Sequence, residues 1–136
     1  MSGAECFFDT NVILYLLSAD AIKADRAEEL IAIGGMVSVQ VLNEFASIAR
    51  RKLDMTWPEI REILAQIRAV CPVAPVSVDT HDRALQVAER YGVSWYDALI
   101  VAAALLADCT TLYSEDMQHG QIFERQLTIC NPFKVD

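Results

Sequence analysis

Cys6-Phe7-Phe8-Asp9-Thr10-Asn11 decides how the rest of the chain is read. Three apolar residues stop abruptly at an acid and two small polar residues. This pattern describes a short buried strand whose end delivers a carboxylate rather than a turn back into the same sheet. Val12 to Leu17 then reads as a short helix, closed by a turn at Ser18-Ala19-Asp20. Ala27, Leu30 and Ile31 mark one face of a further helix that Gly34-Gly35 terminates, and Met36-Val37-Ser38 is a second brief strand. Val41, Leu42, Phe45, Ile48 and Ala49 recur at helical spacing to about Leu53.

Thr56-Trp57-Pro58-Glu59 is a capping box with proline in the first turn, opening a helix that carries Ile60, Ile63, Leu64 and Ile67 on one face. Val73 to Val78 is read as a third extended segment, with Asp79 capping a helix that ends at Gly92. Ser94 caps a helix from Trp95 to Ala107, Thr111-Leu112-Tyr113 is a fourth strand and Leu127-Thr128-Ile129 a fifth. Gln121 to Arg125 is read as a loop or helical turn. Strands alternating with helices predict a three-layer α/β/α sandwich around a mainly parallel sheet of four to five strands. Residues 1–136 form a single domain on this reading, a length typical of one domain, roughly 100–150 residues.

Composition fits a globular protein, with 54% hydrophobic and 22% charged residues. Cys6, Cys71, Cys109 and Cys130 lie far apart among apolar neighbours, and the two histidines are His81 and His119, so buried thiols are expected rather than a zinc site. Met-Ser-Gly-Ala-Glu-Cys lacks the basic and apolar regions of a signal peptide. The apolar run Ala98 to Ala107 is about half of the roughly 20 residues a membrane span needs, and reads as a core helix. A soluble, cytoplasmic protein without membrane association is the expectation. The net charge of −8 opposes nucleic-acid binding by charge alone. Any such chemistry needs metal ions to offset the local field, with Arg50-Arg51-Lys52 as a candidate contact for phosphates, although a solvated helix end is the more ready reading.

In a parallel sheet, functional groups gather beyond the carboxyl ends of the strands. Asp9 follows the first strand, Glu44 lies in the helix after the second, Asp97 is in the first turn of the Ser94 helix, and Asp116 follows the fourth strand. All four are therefore launched from one edge. Like charges so gathered require protons or cations to neutralise them, and oxygen-only ligands suit hard ions such as Mg²⁺. Metal-assisted phosphodiester hydrolysis is the chemistry such a cluster serves. Each acid taken singly has a structural explanation. Asp9 and Asp97 can cap helices and Asp116 can form a turn, whereas Glu44 sits toward the apolar side of its helix and wants a partner.

Phe7-Phe8-Asp9-Thr10-Asn11-Val12, Asn43-Glu44-Phe45, Ser94-Trp95-Tyr96-Asp97-Ala98-Leu99-Ile100-Val101-Ala102-Ala103-Ala104 and Leu112-Tyr113-Ser114-Glu115-Asp116-Met117 resemble, in this order, the four motifs of PIN-domain nucleases. The third is the most specific match, and a chain this short resembles the VapC-type toxins of bacterial toxin–antitoxin pairs. The resemblance implies Mg²⁺- or Mn²⁺-dependent cleavage of single-stranded or structured RNA, with Asp9, Glu44, Asp97 and Asp116 as metal ligands and water-activating acids. It implies Asn11 and Ser114 as residues that orient them. It also implies a homodimer and a cognate antitoxin that lays a helix in an apolar groove, to which Ile13, Leu17 and Trp57 could belong, although each reads more readily as core. The fourth motif departs from a common Thr-Arg-Asn pattern, so Asp116 stands in as the fourth acid, with Glu115 and His119 left open. Two other enzyme classes fit less well. A haloacid dehalogenase-type phosphatase needs a second Asp where Asn11 stands, and a receiver domain needs paired acids near the start and a late lysine. A catalytically degenerate PIN-like domain that binds RNA or protein is the non-enzymatic alternative.

Overall fold

The computed structural model describes residues 5–134. Met1 to Ala4, part of the stretch read above for a leader, lie outside the described residues, as do Val135 and Asp136. β1 (Cys6–Phe8) pairs in parallel with β4 (Thr111–Tyr113), and β4 with β6 (Leu127–Cys130). β5 (Ile122–Phe123) closes this edge antiparallel to β6, giving the order β1-β4-β6-β5. β2 (Val37–Ser38) and β3 (Val73–Ala74) form a second parallel pair. Met36 joins the two sheets through a parallel bridge to Phe7. Six helices flank the sheet: α1 (Thr10–Leu14), α2 (Ala21–Ile33), α3 (Val39–Arg51), α4 (Trp57–Val70), α5 (Val78–Tyr91) and α6 (Trp95–Leu106). The result is the expected α/β sandwich with a mainly parallel sheet.

Two local expectations need correction. The third extended segment ends at Ala74, and Ser77 rather than Asp79 caps α5: its hydroxyl accepts from Thr80 N, and Thr80 Oγ1 accepts from Ser77 N. Valines 76 and 78 give that stretch strand-like composition, but a reciprocal cap satisfies two backbone donors and fixes the helix start. The segment from Gln121 to Arg125 is no helical turn. It is a hairpin whose three-residue loop, Glu124-Arg125-Gln126, has positive φ at its first two positions (52° and 56°). Such dihedrals match the twist of the flanking strands. Glu124 is anchored there by Arg90 Nη1 at 2.8 Å and by the Tyr91 hydroxyl at 3.1 Å.

Phe7, Phe8, Phe45, Leu112, Phe123, Leu127 and Ile129 are fully buried, and every residue of α6 from Ala98 to Leu105 is buried against them. An apolar helix of this kind belongs to the core, and no helix among the described residues is long and apolar enough to cross a membrane. Cys71 and Cys109 are buried, while Cys6 and Cys130 are half-buried, so burial of the thiols is only partial for two of the four. Trp57 is 55% exposed. It opens α4 directly after the Thr56 cap, a turn ahead of the helix's buried face.

The seam between the sheets leaves no room at Gly35. A Cβ there would meet the Phe8 ring at 2.6 and 2.7 Å and the Cys6 carbonyl oxygen at 3.2 Å. Because Phe8 is fully buried and cannot swing aside, Gly35→Ala should lower unfolding free energy by about 1–3 kcal/mol. Urea denaturation followed by circular dichroism measures this; an unchanged midpoint would contradict the packing described.

Candidate active site

The strand order brings the carboxyl ends of β1 and β4 side by side, and the chain leaves both with polar residues. Asp9 N donates to Tyr113 O at 3.0 Å, and Ser114 N to Cys130 O at 3.0 Å, so the ladder runs one residue past each strand. That extension fixes the backbone of Asp9 and Ser114 with no loop between sheet and side chain. Asp9 is 4% exposed and Ser114 is fully buried.

Asp9 is surrounded by donors. Its Oδ1 accepts from Thr10 N at 2.7 Å, and its Oδ2 from Ser114 Oγ at 2.7 Å and Asn11 Nδ2 at 3.2 Å. The same Asn11 Nδ2 donates to Asp116 Oδ2 at 3.1 Å, and Asn11 Oδ1 accepts from Glu115 N at 3.1 Å. Thr10 performs a matching task on the other side: its hydroxyl donates to Glu44 Oε1 at 2.9 Å. Gln40, one helical turn before Glu44, holds Oε2 at 2.8 Å. Two adjacent residues at the start of α1 thus link Asp9 to Glu44 and to Asp116.

Asp97 enters from α6. Ser94 Oγ accepts from Asp97 N at 3.3 Å, the hydroxyl arm of a cap. The Asp97 carboxylate lies within electrostatic reach of Asp9, Glu44 and Asp116. The structure therefore brings together all four acids named from the sequence, with Asn11 and Ser114 bonded to them. Asp9 serves more than capping, since its carboxylate ties the start of α1 to the end of β4 through Ser114.

Burial is the main influence on the two innermost acids. It pushes Asp9 from an ordinary 3.8 up to about 6, against the hydrogen bonds from Ser114 and Thr10, and the charges of Asp97 and Glu44 push the same way. Asp97 is also raised, first by burial, with the Ser94 hydroxyl opposing and the charges of Asp116 and Glu44 adding to the rise. A cation would reverse both effects. Among the described residues, no three acidic, histidine or cysteine side chains are drawn together tightly enough to enclose an ion. The set still fits Mg²⁺ or Mn²⁺: every donor is oxygen, and Mg²⁺ takes one or two carboxylates and keeps several waters.

Other residues fall outside the cluster. Glu115 turns away to Lys23 Nζ at 2.8 Å and to the Tyr15 hydroxyl. Partial burial opposes its charge, yet these two donors hold its carboxyl below the usual range. His119 Nδ1 accepts from Asn131 N at 3.0 Å, a bond that ties two surface segments together. Arg50, Arg51 and Lys52 separate. Arg50 Nη1 donates to Met55 O at 3.1 Å and the guanidinium stacks on Trp57, whereas Arg51 lines a groove with Glu44, and Lys52 is the exposed C-cap of α3. Ile13 is core, Leu17 lines an apolar groove between α2 and α4, and Trp57 lines another beside α3. Sequence reasoning assigned no role to Thr10, Gln40, Lys23 or Tyr15. Of these, Gln40 was open to discovery, since it precedes Glu44 by the four residues that make helical neighbours.

The raised pKa of Asp9 has a sign that can be measured. Between about pH 4 and pH 6 the folded chain binds a proton at Asp9 that the unfolded chain has released, so Asp9 costs stability as pH rises through this window. Without divalent ions, Asp9→Asn should gain on the parent chain across it by up to about 3 kcal/mol and hold the gain above it. Denaturation at a series of pH values gives the difference; a pH-independent difference would show that Asp9 ionises normally.

The PIN domain family matches residues 6–122. No curated protein matches the chain. Among solved structures, it is similar to a toxin–antitoxin complex from Klebsiella pneumoniae (TM-score 0.72, 16% identity, covering 96% of this chain and 99% of that one). It is similar also to VapC20 of Mycobacterium tuberculosis, described as a sarcin-ricin loop cleaving toxin (TM-score 0.67, 24% identity, 82% and 89% covered). FitAcB from Neisseria gonorrhoeae gives a TM-score of 0.69 at 18% identity, with 96% and 99% covered. At these identities the structures speak for the fold, and the family match covers most of the sequence. The chain belongs to the PIN-domain family.

Proposed function

We propose that the chain is a divalent-metal-dependent endoribonuclease and the toxin of a toxin–antitoxin pair. One observation carries the enzymatic part: Thr10 and Asn11 hydrogen-bond Asp9, Glu44 and Asp116 into one cluster that Asp97 joins electrostatically. A protein that needed these residues for folding alone would not gather four acids at one sheet edge, where each raises the cost of ionising the next. The kinship to toxin–antitoxin structures supports the biological role and an antitoxin partner, for whose helix the apolar groove of Leu16, Leu17, Ile31, Ile63, Ile67 and Val70 is the fitting place. A homodimer and a cytoplasmic setting belong to the same proposal.

Asp9, Glu44, Asp97 and Asp116 are the residues to hold Mg²⁺ or Mn²⁺. When bound, such an ion supplies Lewis-acid stabilisation of charge on the phosphate and lowers the pKa of water. Asp9 and Asp97, the more deeply placed carboxylates, anchor the site. Glu44 and Asp116, nearer solvent, are positioned to accept a proton from the attacking water. Asn11 and Ser114 fix the orientation of Asp9, and Gln40 and Thr10 that of Glu44.

Purified chain incubated with RNA and Mg²⁺ or Mn²⁺ should release internal cleavage fragments, and chelation should stop this. Asp9→Asn and Asp97→Asn should each lower the rate by about a hundredfold or more, and Ser114→Ala by about 10–100-fold. Circular dichroism checks that each variant folds. Cleavage retained by Asp9→Asn would sink the carboxylate mechanism; RNA binding by the parent without any cleavage would favour the degenerate binding module.

A further inference from the structure

A groove of about 470 Å³ runs from the acid cluster along α3, lined by Gln40, Glu44, Ser47, Ile48 and Arg51 on that helix and by Tyr96 from the start of α6. Glu44 belongs to both the groove and the cluster, so the two are continuous. Tyr96 immediately precedes Asp97 and is 61% exposed, a large aromatic face left in water beside the acids. Arg51 is at the far end. Its Nε donates to Ser47 Oγ, another lining residue, at 3.0 Å, which ties the exposed Arg51 side chain to the groove wall.

We infer that this groove binds one unpaired nucleotide next to the scissile phosphate, with Tyr96 stacking on the base and Arg51 contacting the flanking phosphate. The inference rests on the ribonuclease reading and adds to it the two residues that hold the strand beside the acids. Three features converge. A base can present its face to Tyr96 only when it is out of a helical stack, and aromatic stacking of this kind tolerates any base. In a chain of net charge −8, a guanidinium lining the same groove as Glu44 is a local exception that suits a phosphate. The neighbouring Arg50 is committed elsewhere, to the Met55 carbonyl and the Trp57 ring, and Lys52 is the exposed C-cap of α3, so Arg51 is the member of the basic triplet that lines the groove.

The test is fluorescence anisotropy in Mg²⁺ with a labelled single-stranded RNA oligonucleotide and its blunt duplex, using Asp9→Asn as the parent so that the probe stays whole. The single strand should bind more tightly than the duplex. Tyr96→Ala should weaken single-strand binding by about tenfold, while Tyr96→Phe, which keeps the ring, stays within about twofold. Arg51→Ala should reduce the slope of log affinity against log salt by about 0.7, and Arg50→Ala should leave that slope unchanged. If the parent binds the single strand and Tyr96→Ala binds it equally well, the subsite is wrong and the ribonuclease reading stands. If the otherwise unmodified chain cleaves no RNA and the parent binds none, both fall together.

Discussion

The Asp9 carboxylate is nearly removed from water at a point where three other acids share its surroundings, and its position is maintained by donors rather than by counter-charge. Thr10, Asn11 and Ser114 each supply one hydrogen bond. Among the described residues no lysine or arginine forms an ion pair with it; Lys23 is bound to Glu115 and Tyr15 instead. Neutral donors fix geometry without cancelling charge. The cluster therefore keeps its shape with its charge uncompensated, and the rest of the fold serves this arrangement: parallel strands to align the edge, a short helix to carry Thr10 and Asn11, and α6 to bring Asp97.

Much of this was legible in the sequence because each acid sits at a place with its own local signal. Asp9 and Asp116 follow short apolar runs, Asp97 lies three residues after a cap, and Glu44 breaks an apolar helical face. What escaped were features decided by tertiary contact. The hairpin loop Glu124-Arg125-Gln126 contains neither glycine nor asparagine, the residues that announce such turns, and its dihedrals hold because Arg90 and Tyr91 grip Glu124 from α5. Ser77 was overlooked since the valines around it favour extended backbone. Arg50-Arg51-Lys52 is one patch in the linear sequence, yet consecutive helical residues point about 100° apart. Helical geometry sends Arg50 to Trp57 and Arg51 to the groove.

The acidic balance of the chain also takes a local meaning. An overall charge of −8 repels a polyanion at long range. On the proposed function, attraction comes from within the cleft, over short distances, from a cation on the carboxylates and from Arg51. A ribonuclease built this way would have little affinity for nucleic acid in general, and its selectivity would lie with whatever reaches the groove.

The bridge between Phe7 and Met36 carries a consequence for the cleft. Two backbone hydrogen bonds, Phe8 N to Met36 O at 2.9 Å and Met36 N to Cys6 O at 2.8 Å, stitch the β2–β3 pair to the larger sheet. Asp9 stands on one side of this stitch, and Glu44, on the helix that follows β2, stands on the other. The separation between those carboxylates is therefore set by how closely two strand pairs are drawn together at a glycine, Gly35, that touches neither acid. The seam works as a spacer gauge for the acid cluster: widening it by a few tenths of an ångström would move Glu44 relative to Asp9.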